Sequence, residues 1–169
     1  QTREQREQNL TPYRVIADHV RAATFLIADG VVPGNLGRNY VCRMIIRRAA
    51  RFARKLGLTE PFMAHVAAKV IEIYAEAYPE VKQSENLIFD TLTREEQRFA
   101  ETLDIGFAEL NRLMDAMRAE GQTVLDGKTA FNLYATLGFP LEITRDILTE
   151  EGFSVDEAGF YQSMEEHRI

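Results

Sequence analysis

Six cations crowd into the nineteen residues NYVCRMIIRRAARFARKLG, positions 39–57. Arg43, Arg47, Arg51 and Arg54 recur every three or four positions, which puts them on one face of a helix. Arg48 and Lys55 lie to one side of that row. Like charges at this spacing destabilise an isolated helix by roughly 0.2–0.5 kcal/mol per pair, so the row asks for a compensating anion. Spacing alone divides evenly between two readings. One is a nucleic-acid backbone contact; the other is a face that is solvated or paired with acids elsewhere in the chain. The dominance of Arg over Lys tilts the balance towards nucleic acid, because a guanidinium fork meets two phosphate oxygens at once.

Other residues with chemical capacity are few. Asn35 in PGNLGR and Asp126 in VLDGKT are short polar side chains on glycine-flanked turns, where a backbone can come close to a ligand. Taken alone, Asn35 reads as an ordinary turn residue and Asp126 as a helix N-cap. His19 follows Asp18 in a helical pattern and has no second His at metal-binding spacing. It reads as a core or helix-contact histidine. His65 and His167 are isolated and expected to be exposed. No paired groups stand at a spacing useful for catalysis, so no catalytic residue, metal ligand or cofactor ligand is assigned.

The elements that must position these residues read as helices throughout. Thr11 and Pro12 have the form of a cap and a first helical residue. Val15, Ile16, His19, Val20, Ala23 and Ile27 then follow at helical spacing, and Gly30 can end the helix. Residues 31–37, VVPGNLG, form a loop. The basic stretch is a helix over about 38–56 with Gly57 as its C-terminal cap. Val41, Ile45, Ile46, Ala49, Ala50 and Phe52 supply its buried side. Thr59, Glu60 and Pro61 start a third helix that runs to about Tyr78.

A long charged helix spans about 80–119, with a candidate interruption at 86–91. Its stripe is Leu92, Phe99, Leu103, Leu110 and Met117, near a seven-residue rhythm. Arg94, Glu95, Glu96, Arg98 and Glu101 are expected to stand in water. Helices over about 128–137, 141–151 and 155–167 follow, the first stopped by Gly138 and Pro140 and the last capped by Ser154. No stretch alternates as a strand. The expectation is an all-α protein of two helical lobes: a basic lobe over 1–78, a connecting helix over 79–119 and a second lobe over 120–169.

Composition sets the outer bounds. The chain has 169 residues, 46% of them hydrophobic, which is enough for a core and argues against disorder. Residues 1–57 hold eleven Arg and Lys against four Asp and Glu, about +7; the remainder holds nine against twenty-two, about −13. So polarised a molecule has one region for an anion and another that repels it. A single cysteine, Cys42, excludes an intrachain disulfide and a cysteine-based zinc site. No apolar run is long enough for a membrane span, and the polar opening QTREQREQN is no signal peptide. The absent initiator Met points to a piece of a longer protein or to removal of a tag. A soluble cytoplasmic location is expected.

Four stretches, in order, resemble the middle region of the alanyl-tRNA synthetases. They are YRVIADHVRAATFLIADGVVPGNLGRNYVCRMIIRRAARFARKLG, TLTREEQRFAETLDIGFAEL, VLDGKTAFNLYATLGFPLEITRDI and SVDEAGFYQSMEEHR. The resemblance runs from about Tyr13 to Arg168. It departs from the usual pattern at Asn39 (usually Gly), Cys42 (Leu), Met44 (Arg), Ala135 (Asp) and Leu137 (Tyr), and Met44 removes one positive charge.

The resemblance implies a class II aminoacyl-tRNA synthetase, an ATP-dependent ligase, represented here by its helical tRNA-recognition region. The catalytic domain lies upstream in that family and the zinc-bearing editing domain downstream. This piece should therefore make no alanyl-adenylate by itself. ATP with magnesium and the editing zinc are expected of the whole protein, and no cofactor of this region. The implied partners are the acceptor stem of an alanine tRNA and the catalytic and editing domains of the same chain, with no membrane and no DNA.

The family reads a G·U wobble pair, whose guanine amino group is left unpaired in the minor groove. A carboxylate or amide oxygen can accept that hydrogen. The resemblance carries base recognition onto Asn35 and Asp126. Backbone contact then falls to Arg38, Arg43, Arg47, Arg48, Arg51, Arg54 and Lys55. The competing expectation is a helical protein–protein interaction module whose basic face meets an acidic partner.

Overall fold

A computed structural model describes residues 2–8 and 10–167. Gln1, Asn9, Arg168 and Ile169 lie outside the described residues, and with them the last position of the resembling stretch. Two compact units divide the chain, Gln1–Phe99 and Ala100–Ile169. Each is mostly helical, as the all-α reading expects.

The first unit holds α1 (Arg3–Gln8), α2 (Leu10–Ala28), α3 (Gly37–Lys55), α4 (Met63–Tyr74), α5 (Pro79–Gln83) and the first part of α6 (Glu85–Glu120). Its core joins Ile16, Val20, Ala23 and Ile27 of α2 to Cys42, Ile45, Ile46, Ala49, Phe52 and Ala53 of α3. Met63, Ala67 and Ile71 of α4 add to it, as do Val81, Ile88 and Leu92. The apolar spacing of α2 thus faces inward as it reads. In α3 one position departs: Val41, assigned to the buried side, is exposed. The C-terminus of α3 closes as expected at Gly57, whose φ of 81° suits a residue without Cβ. Gly57 N–H bonds Arg54 O and Leu58 N–H bonds Ala53 O, both at 3.0 Å, the paired bonds of a Schellman cap.

Several boundaries differ from the sequence expectation for identifiable reasons. Thr11 is inside α2 rather than its cap, because Pro12 is tolerated anywhere in a first turn whose amides have no intrahelical acceptor. The third helix is shorter than 59–78. It starts at Met63, where the Glu96 carboxylate accepts from Phe62 N–H and Met63 N–H at 3.1 Å each, and ends at Tyr74. Residues 86–91 do not interrupt the long helix; Ile88 and Leu92, fully buried, hold that turn, and the break falls earlier, at Ser84.

The second unit continues with β1 (Val124–Leu125), α7 (Gly127–Leu137), α8 (Leu141–Glu150), β2 (Ser154–Val155) and α9 (Glu157–Glu166). Leu103, Leu110, Met114 and Met117 of α6 are buried there, and the Gly106 position is filled by the Phe139 ring, which a Cβ would meet at 2.3 Å. The absence of strands is corrected: β1 and β2 pair in parallel, Val124 with Ser154 and Leu125 with Val155. Ser154 is therefore a strand residue, and the cap of α9 is Asp156, which accepts from Gly159 N–H at 3.0 Å.

Candidate nucleic-acid interface

Asn35 sits on a loop that is tied down at three places. Gly34 N–H donates to Asn39 O at 2.9 Å, and a Cβ on Gly34 would lie 2.8 Å from the Asn39 side chain, so the turn needs glycine. Tyr40 N–H bonds Leu36 O at 3.2 Å. The Cys42 thiol donates to Val31 O at 4.0 Å. Burial, and then the charge of Glu95, pushes that thiol up to about 11, so it keeps the proton it donates. Asn35 itself is exposed, and its Oδ1 accepts from Arg43 Nη1.

Glu95, from α6, gathers the first two arginines of the row. Its Oε1 takes Arg43 Nε at 3.1 Å, Arg47 Nε at 2.7 Å and Arg47 Nη2 at 2.6 Å. Glu95 and Arg47 are 5% and 4% exposed, so this is an internal ion pair; Arg47 also lies over the Phe99 ring at 4.9 Å. Arg51, 2% exposed, stacks over Phe52 at 5.0 Å, and Arg48 and Lys55 meet the same ring at 5.6 Å. The centre of the basic row is thus interior. Arg38 and Lys55 are exposed, and Arg43, Arg48 and Arg54 are intermediate. Arg48 Nη1 donates to His19 Nε2 at 3.2 Å while His19 Nδ1 meets Asp18 at 3.3 Å, which makes His19 the helix-contact residue its context suggested. His65 and His167 are exposed, the latter with its ring against Phe131 at 5.4 Å.

Asp126 belongs to the second unit. It ends β1 and caps α7: its Oδ2 accepts from Thr129 N–H at 2.9 Å and from the Thr129 hydroxyl at 3.0 Å. Both bonds fall on one oxygen; among the described residues Oδ1 accepts none. The neighbouring Gly127 lets α7 and α9 start against each other. A Cβ there would meet Phe160 N at 2.4 Å and Asp156 O at 2.5 Å, backbone atoms that cannot swing aside. The strand pair and this close approach fix where Asp126 emerges. Among the described residues no three His, Cys, Asp or Glu gather as a metal site would require, and no helix is long and apolar enough to cross a membrane.

Sequence reasoning missed Glu95 and Glu96, both expected in water and both buried. Arg94, Arg98 and Glu101 are exposed as expected. A signal was present: Leu92, Glu96, Phe99 and Leu103 follow the i, i+4, i+7 spacing of a single helix face, so an acid stood inside the apolar stripe.

The profile of the family described as tRNA synthetases class II (A) matches residues 1–169. Alanine–tRNA ligase of Roseiflexus sp. (strain RS-1) is 48% identical over 159 residues, which is 94% of this chain and 18% of that protein. The alanine–tRNA ligase of Desulfosudis oleivorans is 48% identical over 155 residues, 92% of this chain and 18% of the relative. That of Nitrosospira multiformis is 49% identical over 154 residues, 91% and 17%. The chain spans under a fifth of the length of these curated relatives.

Proposed function

Since the chain belongs to the class II (A) tRNA synthetase family, we propose that it is the acceptor-stem-recognition region of an alanine–tRNA ligase. The near-complete match to proteins of that name carries the reading. In the parent protein, alanine is joined to its tRNA with ATP by parts that this region lacks, and magnesium-ATP and an editing zinc serve those parts. This region contributes the grip on tRNA.

The geometry supports a division of work. Asp126 holds its helix with one carboxylate oxygen and offers the other, an acceptor suited to the unpaired guanine amino group of a G·U pair. Asn35, exposed on a braced loop of the first unit, is the other side chain assigned to base recognition. Arg38 and Lys55, exposed at either end of α3, meet phosphates. Arg43, Arg48 and Arg54 have partial access. Arg47 and Arg51 support the interface from below.

The test is binding of the chain to two RNA hairpins that carry the acceptor-stem sequence and differ by G·U or G·C at one position, over a salt series. Preference for G·U with affinity falling steeply in salt supports the reading. Equal affinity for both, unchanged by salt and not competed by tRNA, would instead favour a protein-binding helical module.

A further inference from the structure

We propose that the cleft between α7 and α9 takes one ribose–phosphate unit of the RNA backbone, with Lys128 on the phosphate and Glu166 on the ribose 2′-hydroxyl. The site lies wholly within the second unit. It rests on the acceptor-stem reading for RNA as the ligand, and on the chemistry of the cleft for the rest.

Lys128, Phe131 and Asn132 of α7 face Ser163 and Glu166 of α9, with His167 at its end, across a cavity of about 190 Å3. Drug-sized ligands occupy about 300–1,000 Å3, so this space suits a single backbone unit without its base. Phe131 is buried, and its ring meets that of His167 at 5.4 Å.

The polar groups of the cleft are unengaged. Among the described residues of this unit, Arg112, Arg118 and Arg145 each sit in an ion pair, at 2.6, 2.8 and 3.1 Å, and Lys128 sits in none. Lys128 is exposed in the first turn of α7, where the helix dipole opposes a cation, so α7 itself gives that charge no support. The side chains of Asn132 and Ser163 hydrogen-bond nothing among the described residues. Glu166 accepts from Gln162 Nε2 through Oε1 at 3.0 Å, and its Oε2 accepts from no described residue.

This mixture of groups selects the ligand. A phosphate alone suits Lys128 and is repelled by the Glu166 carboxylate. A ribose–phosphate satisfies both, with oxygens for the three N–H donors of Lys128 and a hydroxyl proton for the acceptor-only Glu166. RNA displays its 2′-hydroxyls in the open minor groove, between the phosphates. Lys128 follows Asp126 by two residues, so the backbone contact falls beside the base-edge contact proposed there. It also supplies a local attraction on an acidic unit.

Lys128→Gln tests the phosphate arm with the same two hairpins. Affinity for both should fall by one common factor, roughly two- to fivefold, and the log–log salt slope by about 0.7–0.9. Melting should hold. An unchanged slope overturns the phosphate contact. Single 2′-deoxy substitutions along the stem test the ribose arm. At one position the unaltered chain should lose about three- to tenfold in affinity, and Glu166→Ala should be indifferent to the same change. Equal losses for both proteins at every position overturn the ribose contact.

The cleft is also tested without an acceptor stem, by titrating 15N-labelled chain with ribose 5-phosphate and, separately, with inorganic phosphate. The Asn132 side-chain amide should shift more with ribose 5-phosphate, and with neither in Lys128→Gln. No shift in the unaltered chain, or an equal one in the variant, overturns the site. A shift with inorganic phosphate alone overturns the ribose assignment. If the unaltered chain prefers neither hairpin, the acceptor-stem reading fails and this titration alone decides the cleft.

Discussion

At Asp126 the helix cap is observed and the recognition role is proposed, and two substitutions separate them. Asp126→Asn keeps an oxygen for Thr129 and places an NH2 where Oδ1 stood. Melting should stay near normal while the G·U preference drops about tenfold or more, since a hydrogen bond to a charged group is worth about 1.5–3 kcal/mol. Asp126→Ala should also remove the cap, a loss of about 0.5–2 kcal/mol of stability that is indifferent to the base pair. A lowered melting point with an intact G·U to G·C ratio in both variants would leave Asp126 as a cap alone. Glu96 gives a pH signature. Burial raises its pKa above the ordinary glutamate value, against the two amides that lower it. In the folded state it therefore holds a proton over a window where the unfolded chain has lost it. This contribution to stability is complete below the unfolded pKa and is lost as pH rises through the folded one. Denaturant titrations should show Glu96→Gln less stable than the parent near neutrality, because a side-chain NH2 replaces an acceptor. Its decline between acid and neutral pH should also be shallower. An unchanged pH profile would show that Glu96 does not titrate in that window.

At the scale of elements, the second unit repeats one device. A two-residue strand ends in an aspartate cap and a helix: Leu125, Asp126 and α7, then Val155, Asp156 and α9. Parallel pairing of the strands sets the two helices side by side, and Gly127 permits their contact. Alanine ordinarily favours a helix over glycine by roughly 0.5–1 kcal/mol. Here its methyl would press on the backbone of α9, so Gly127→Ala should instead destabilise by about 1–3 kcal/mol. It should also weaken G·U discrimination by displacing Asp126. Thermal melting reads the first effect; a raised melting point would mean that the close approach is not tight. The α3–α6 contact has a similar logic in charge. Two helices that are each unfavourable alone, one dense in Arg and one with acids in its apolar stripe, neutralise each other through Glu95.

Over the whole molecule, charge is divided unevenly. Residues 1–99 carry fifteen Arg and Lys against twelve Asp and Glu; residues 100–169 carry five against fourteen. On the acceptor-stem proposal, attraction to phosphate would come from the first unit, and the acidic second unit would contribute selectivity against its own repulsion. The consequence can be measured in a salt series. Arg38→Ala should reduce the log–log slope of RNA affinity by about 0.7–0.9 for one lost phosphate contact, with melting unchanged. Arg47→Ala should do the reverse. It strands buried Glu95 without a partner it needs, a loss of about 3–5 kcal/mol of stability, and removes no phosphate contact. Equal slopes for Arg38→Ala and the parent would take Arg38 out of the interface.

Much of this was legible in the linear chain, because it depends on neighbours three or four residues away. The helices, the Gly57 cap, the inward face of α2, the stripe of α6 and the capping role of Asp126 all follow from local spacing and local backbone chemistry. The charge polarity follows from counting. Tertiary structure decided what local spacing cannot encode. Helical periodicity says which residues share a face, but not what that face meets. Arg43 and Arg47 find Glu95 across 52 and 48 residues, so which arginines turn inward was fixed only when α3 packed on α6. Glu96 became the cap of α4 in the same way, from 33 and 34 residues along the chain. The strands are two residues long, too short to show a period, and exist only as each other's partner. At Asn35 the sequence specified an amide. That this amide meets an arginine eight residues on, itself held from α6 by a buried carboxylate, was decided only by the packing of α3 on α6.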